Sequence, residues 1–268
     1  SRRSWLVQLG SISPDADFAA FRRDGKALAT SFQPGEGERG ASTTVVFDQR
    51  ILVVHPDGSV HTEVHTLRRV NDQQGVEAFA QGTGLGGVDE LLLLRTIGTD
   101  GRDYVPSRID DDYAMQRLEP GAFVEWRFRV YGGAPGQDAI DTEPFLLGSG
   151  DEPCRHAEYV LVQPAGARGE LRTRHLGEPA EHRTLDDGRQ VTIHVRKDVP
   201  KRPTENLEPP AIESESVAEF GEDAAPFANW RALRTYVLEH SRPESQLQGK
   251  AKELLAGIDD DRAGTAAV

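Results

Sequence analysis

The sequence predicts a mainly β protein, an antiparallel β-sandwich with a short C-terminal α-helical segment. Three Asp-Gly pairs, at positions 57–58, 100–101 and 187–188, each separate two strand-like runs. Asp-Gly supplies the positive-φ residues that tight two-residue hairpin turns require. Apolar and polar residues also alternate with a period of two beside these pairs, which is typical of strands with one buried and one solvated face.

The first elements follow from the hairpin pattern. Residues 1–41 predict a lead-in and linker that ends in a loop rich in Gly and Glu. Residues 43–54 are rich in β-branched side chains and predict the first arm of a hairpin. The turn at Asp57-Gly58 then leads into a second arm at 60–66, where apolar and polar residues alternate.

The middle of the chain begins with a predicted break at residues 73–87, with an irregular strand around 76–79. Residues 91–97 predict a central strand, because the run Leu91–Leu94 is apolar on both faces. This strand leads into the second hairpin turn, at Asp100-Gly101.

The clearest strand is residues 123–131, where apolar and charged side chains alternate. The apolar set predicts the buried face and comprises Val124, Trp126, Phe128 and Val130. The charged set predicts the solvated face and comprises Glu125, Arg127 and Arg129. We therefore expect an antiparallel sheet that packs on a second sheet.

Composition predicts three successive regions in the chain after the lead-in. Residues 42–200 form the sandwich module, which gains short strands at 157–162, 171–175 and 190–197. Prolines and glutamates predict an acidic, extended connector over 201–225. The apolar period then becomes helical, so residues 226–268 predict the helical start of a further, truncated domain.

The bulk composition argues against several classes of partner. A formal net charge of −13 over 268 residues disfavours nucleic acid, because phosphate binding needs clustered Lys and Arg. No apolar run approaches the roughly 20 residues of a membrane-spanning helix. The single cysteine, Cys154, excludes an intramolecular disulfide and a multi-cysteine zinc site. The chain has no initiator Met, so we expect a piece or processed form of a longer protein.

Three polar residues of one strand suggest a metal site. His61, Glu63 and His65 project from the same face, and imidazole and carboxylate are suitable metal ligands. The alternate positions Val60 and Val64 predict the core side, which would leave the polar trio on a solvated face. Solvated sheet patterning is therefore the preferred interpretation, and we predict no metal-ligating residues.

Cys154 and His156 suggest a nucleophile and its base, because residues two apart in a strand share a face. A nucleophilic cysteine needs a lowered pKa, whereas the acidic neighbours Asp151, Glu152 and Glu158 would raise it. We therefore predict no catalytic residue here.

Four further patterns have simpler interpretations. Gly82, Gly84 and Gly87 match G-x-G-x-x-G, but a strand rather than a helix is predicted to follow, which argues against a nucleotide site. The nucleophile elbow G-x-S-x-G is absent around Ser149. Two acidic runs lack the spacing of a calcium loop and predict a turn and a helix start, at 110–112 and 259–261. We therefore expect no cofactor.

An ordered series of segments resembles a bacterial domain of unknown function that precedes transglutaminase-like domains. The segments are Val53 to Ser59, Leu93 to Gly101, Leu118 to Trp126, Asp198 to Pro200, Glu208 to Pro210 and a Trp-headed helix at Trp230. The resemblance covers about residues 42–268. It implies a β-sandwich-like module followed by the first helices of the transglutaminase-like domain. It also implies a protein that is secreted or located in the bacterial periplasm or cell envelope.

The resemblance places the family's catalytic Cys-His-Asp set in the following domain, and no residue of this chain matches its Cys motif. We therefore expect a non-catalytic accessory module whose partner is the adjacent transglutaminase-like domain. One alternative is an autonomous module that binds glycan or protein, including the cell wall. Another is a piece of a Cys-dependent acyl-transfer or peptidase-type enzyme whose active site lies beyond residue 268.

Overall fold

The computed structural model describes residues 15–80, 83, 85, 88–109, 112–132, 142–148, 152–202 and 214–221. The chain divides into two units after Gly221, and all the described residues belong to the first. The helices predicted at 226–268 therefore lie outside the described residues. None of the described helices is long and apolar enough to cross a membrane.

The described chain is mainly β. The strands are β1 (Thr43–Val54), β2 (Val60–Val70), β3 (Glu90–Ile97), β4 (Asp103–Tyr104), β5 (Ser107–Ile109), β6 (Asp112–Ala114), β7 (Phe123–Gly132), β8 (Phe145–Leu146), β9 (Cys154–Gln163), β10 (Glu170–Arg174), β11 (Glu181–Thr184), β12 (Gln190–Val199) and β13 (Val217–Gly221). The helices are α1 (Ala16–Ala19), α2 (Gly25–Ser31) and α3 (Gln73–Ala80), with one 3₁₀ turn at Glu36–Glu38.

The predicted hairpin turns form as the Asp-Gly pairs indicate. Gly58, Gly101 and Gly188 adopt φ values of 83°, 74° and 86°, in the left-handed region that favours glycine. The side chain of Asp57 accepts a hydrogen bond from the amide of Ser59 at 2.9 Å. This local bond closes the turn and needs no tertiary contact, which is why the sequence alone predicts it.

Eight strands form one large sheet in the order β11-β12-β9-β1-β2-β7-β3-β4. A three-stranded sheet, β10-β13-β8, packs on one of its faces, and β5 and β6 form a separate pair. The sandwich prediction is confirmed with one refinement: β1 and β9 run parallel, with Ile51 opposite Val160. The other pairings among the described strands are antiparallel.

The main core lies between the two sheets. Leu52, Tyr159 and Leu161 of the large sheet pack with Phe145 and Phe220 of the small one, and all five are at most 5% exposed. Strand β13, which contributes Phe220, lies within the segment predicted to be a connector. A separate cluster on the opposite face of the large sheet joins Phe18 and Phe21 to its central strands.

Residues 73–80 form helix α3, and the predicted break with an irregular strand at 76–79 is wrong. The carboxylate of Asp72 accepts a hydrogen bond from the amide of Gly75 at 2.9 Å and so stabilises the first turn. Val76 and Phe79, three residues apart, both join a hydrophobic cluster. A Cβ on Gly75 would lie 2.2 Å from the Ser42 carbonyl oxygen, so this glycine permits close packing rather than marking a loop.

Candidate functional site

Residues 15–31, which we call the strap, lie across one face of the large sheet. The strap contains helices α1 and α2, and the carboxylate of Asp24 caps α2 by accepting from the amides of Lys26 and Ala27. Phe18 and Phe21 of the strap are 2% and 7% exposed. Burial of two Phe side chains contributes about 3–6 kcal/mol to holding this segment on the sheet.

The sheet face beneath the strap, which we call the polar face, carries the charged residues that the sequence predicts to be solvated. His61, Glu63 and His65 of β2 are 3%, 1% and 1% exposed, and Glu125 and Arg129 of β7 are 0% and 1% exposed. The predicted solvated face is therefore wrong for both strands. The physical reason is that the strap, which is distant in sequence, excludes water from it.

The apolar face of β7 is also less buried than predicted. Val130 is 41% exposed, and Trp126 and Phe128 are half-buried. Val124 at the other end of the strand is fully buried in a cluster with Phe79 of α3. The apolar face of this strand is therefore buried at one end and partly exposed at the other.

Glu63 lies at the centre of the polar face, where two arginines donate hydrogen bonds to it and a third, Arg127, lies 3.8 Å away. Arg22 of the strap donates to its two oxygens through Nε and Nη2, each at 2.7 Å. Arg129 donates through Nε at 3.0 Å. Both arginines also bind the carboxylate of Asp15, and their hydrogen bonds hold the pKa of that carboxyl well below its usual range. Two carboxylates and two guanidinium groups thus form one network that joins strap to sheet.

Glu125 forms a second buried centre. Its Oε1 lies 2.9 Å from His65 Nε2, and its Oε2 accepts from Arg95 at 2.8 and 2.6 Å. Burial on its own would raise the pKa of this carboxyl, but the hydrogen bonds from His65 and Arg95 outweigh it and the pKa is lowered. The carboxylate is therefore held in its charged form and in one orientation.

Glu158 of β9 forms a third centre. It accepts a hydrogen bond from Gln49 Nε2 at 2.5 Å and binds Arg23 of the strap at 3.1 Å. His156 Nε2 lies 3.4 Å from Oε2, the oxygen that Arg23 binds. Burial opposes ionisation of this carboxyl, but these contacts prevail and its pKa is lowered. Consecutive strap residues, Arg22 and Arg23, therefore bind carboxylates of two different strands.

The described residues of the polar face do not bring together the trio considered as metal ligands in the sequence. His61, Glu63 and His65 project from one face, but they bind different groups: His55, the two arginines and Glu125. No group of three His, Cys, Asp or Glu suited to a metal ion occurs in the described part of the chain. The chemistry of this face is ion pairing between side chains of the protein itself.

Cys154 and His156 also face different surroundings. Cys154 is 2% exposed in the core between the sheets, whereas His156 contacts Glu158 and the ring of Phe47. Burial, followed by the negative charge of Asp48, raises the pKa of the thiol to about 12. The sequence predicts the direction of this shift correctly. It does not predict the contribution of Asp48, which is distant from Cys154 in the sequence.

The buried thiol should resist alkylation in the native state. At about pH 8 a thiol with this pKa is almost entirely protonated, and the thiolate is the reactive form. We expect iodoacetamide to label Cys154 only after denaturation, as measured by intact-mass spectrometry. Labelling of the native protein at the denatured rate would contradict the buried placement of Cys154.

Several sequence candidates lie outside the described residues. They are Gly82, Gly84, Gly87, Asp110, Asp111, Ser149 and the acidic run at 259–261. Asp112, the last residue of the first acidic run, begins β6 and accepts a hydrogen bond from Thr83 at 2.9 Å.

Gly25 of the strap packs directly against the side chain of Glu125. No sequence pattern marks this glycine as important. A Cβ at this position would lie 2.1 Å from Glu125 Oε1. The strap residues Asp15, Arg22 and Arg23 are equally unmarked by any motif. Their only sequence signal is a set of charges beside the apolar residues Phe18 and Phe21.

Replacing Gly25 by Ala should lower the free energy of unfolding by about 1–3 kcal/mol, because the new methyl group overlaps a carboxylate that three donors hold in place. Urea unfolding would measure the loss. Gly37→Ala is the matched control, since a Cβ there meets no atom within 4 Å. Equal stability of the two variants would contradict the close approach of the strap to Glu125.

The comparisons show a likeness of fold. No family model and no curated protein matches the chain. The structure is similar to the crystal structure of a "putative protease" from Parabacteroides distasonis, with a TM-score of 0.55 and 11% sequence identity. The match covers 85% of this chain and 49% of the other, so this chain spans about half the length of that protein.

Proposed function

We propose that this chain is a non-catalytic β-sandwich accessory module of a bacterial transglutaminase-like envelope protein. Its role is to pack on the domain that follows it, or to present partners to that domain. The observation that carries the proposal is that the buried carboxylates of the polar face are bound to arginine, histidine and glutamine side chains of the same chain. Carboxylates that are already bound by side chains of the same protein support a structural role for the polar face.

Two further observations support this role. The thiol of Cys154 is buried and has a raised pKa, which is the opposite of what a nucleophile needs. The similar fold forms only half of a longer protein, which is compatible with a module that accompanies another domain. The name of that protein is also compatible with a parent of peptidase type whose reactive residues are elsewhere.

The test is to assay the purified chain and its Cys154→Ala variant with fluorogenic amidase, peptidase and transamidase substrates. We expect neither protein to exceed a blank without protein. Turnover that the Cys154→Ala substitution abolishes would overturn the proposal. The coding sequence downstream of Val268 tests the accessory role separately. A Cys-headed helix followed by His and Asp supports it, and a stop codon soon after Val268 counts against it.

A second candidate function is binding of glycan or protein by the apolar face of β7. The observation that favours it is the partial exposure of Trp126, Phe128 and Val130. Aromatic rings on an accessible sheet face are suited to stack on sugars or to pack against a partner. Pull-down with peptidoglycan and with soluble glycans tests the glycan version, and absence of retention would remove it.

A further inference from the structure

Two histidines meet at one end of the polar face. His55 follows β1 and His61 lies in β2, and their Nε2 and Nδ1 atoms are 2.9 Å apart. The rings of Tyr131 and His61 pack in a T-shaped arrangement with their centroids 5.1 Å apart, and the Tyr131 hydroxyl donates to Glu90. His61 is 3% exposed, whereas His55 is half-buried and so is in partial contact with solvent.

The geometry of this pair requires an uncharged nitrogen. A hydrogen bond between two imidazoles needs one nitrogen without a proton to act as acceptor. Two imidazolium rings at this distance would oppose two N–H groups and two positive charges. Burial, and then His55, lower the pKa of His61 to about 4, and burial lowers the pKa of His55 as well.

Charged groups from every neighbouring element face this pair. Arg129 of β7 disfavours protonation of His61, and Arg189, which precedes β12, disfavours protonation of His55. Asp57 of the hairpin turn and Asp17 of α1 favour it and offset part of the effect. Glu90 of β3 reaches the corner through Tyr131 and lies 3.7 Å from Arg129.

The strap covers this corner through helix α1. Asp17 binds Arg189 at 2.6 Å, and the guanidinium of Arg129 lies over the ring of Phe18 at 4.7 Å from its centroid. Removal of α1 therefore takes away the apolar cover of Phe18. It also takes away Asp17, one of the two carboxylates that favour protonation of the histidines. Water would then reach His61, and its imidazole could accept a proton as it does in an unfolded chain.

We propose that the strap is acid-sensitive: protonation of the His55–His61 pair shifts residues 15–31 from a closed to an open state and exposes the polar face. Two other anchors of the strap, Asp15 and Glu158, have lowered pKa values and stay charged in mild acid. Their loss of charge therefore does not explain an opening between about pH 7 and about pH 5. Opening removes Arg22 from Glu63 and Arg23 from Glu158, while these two carboxylates keep their hydrogen bonds to Arg129 and Gln49 of the sheet.

The sign and size of the effect follow from linkage. A histidine with a lowered pKa favours the closed strap above about pH 6.5, and this preference is lost as the pH falls toward about 4. From His61 alone, the opening equilibrium should rise on the order of 20-fold between about pH 7 and about pH 5. His55 adds to the effect in the same direction.

Hydrogen exchange measured by mass spectrometry tests the proposal on the whole chain. After correction for the intrinsic pH dependence of exchange, peptides from the strap should lose protection on acidification by the factor above. A peptide from β13 should not, and it is an informative control because this strand contains no histidine. Parallel loss of protection in both peptides would indicate global unfolding and would overturn the proposal.

A pair of variants assigns the effect to the corner. His61→Phe keeps a ring against Tyr131 but cannot be protonated, so most of the pH dependence of strap exchange should disappear. His182→Phe is the matched control, because His182 is exposed on edge strand β11. The ratio of exchange rates at two pH values cancels a uniform change in stability. An unchanged ratio in His61→Phe, or no acid effect in the wild-type protein, would refute the proposal.

Discussion

Replacing Glu63 by Gln should lower the free energy of unfolding by about 3–5 kcal/mol, because removal of one partner leaves a buried charge uncompensated. Glu63 is 1% exposed and accepts three hydrogen bonds, from Arg22 and Arg129. Gln has nearly the same shape, so the variant removes charge with little change in packing. Asp15 remains to balance the two arginines in part, which favours the lower end of the range.

The matched control is Glu181→Gln on the exposed edge strand β11. Glu181 also pairs with an arginine, Arg183, at 2.9 Å, but both side chains are more than two-fifths exposed. Solvent screens such a pair, so its loss should cost below about 1 kcal/mol. Urea unfolding of both variants near neutral pH measures the difference. Equal losses would show that the strap does not exclude water from the polar face.

Replacing Phe220 by Ala should lower the free energy of unfolding by about 3–5 kcal/mol, the range for loss of a buried Phe side chain. Phe220 is 0% exposed in the core between the two sheets. Its ring lies so close to Gly169 that a Cβ there would be 2.9 Å from Cζ. The backbone of Phe220 is held separately by Thr142, whose amide and hydroxyl bind its carbonyl at 3.1 and 2.7 Å. The loss of stability therefore measures the packing of the Phe220 ring rather than the pairing of the strand backbone.

Two further variants calibrate the Phe220 result. Phe220→Leu retains most of the apolar volume and should lose clearly less stability than Phe220→Ala. Val105→Ala removes an apolar side chain that is 80% exposed, and its effect should stay within about 0.5 kcal/mol. A Phe220→Ala variant as stable as Val105→Ala would mean that β13 is a dispensable connector, as its composition suggests.

Local chemistry explains the parts of the fold that sequence analysis predicts correctly. The turn at Asp57-Gly58 depends on one glycine at positive φ and on hydrogen bonds to a residue two positions away. The alternation in β2 and β7 likewise follows from strand geometry alone. The Val76 and Phe79 spacing was available as a helical signal, but the nearby glycines obscured it.

The burial of the polar face could not be predicted in the same way. Alternation divides a strand into two faces, but it does not say which face is covered. The segments that meet there are far apart in sequence: Arg22 binds Glu63 across 41 positions, and Arg23 binds Glu158 across 135. Neither the strap nor the strands beneath it contain a sequence motif that predicts their contact.

The amino-acid sequence by itself determined the hairpins, the alternating strands and the mainly β class, because each depends on neighbours within a few residues. The tertiary structure alone decided that the strap covers the charged side of the large sheet. It also decided that β1 and β9 pair in parallel and that Phe220 belongs to the core. The physical reason is that these outcomes depend on which distant surfaces exclude water from each other, and burial of that kind depends on the whole folded chain.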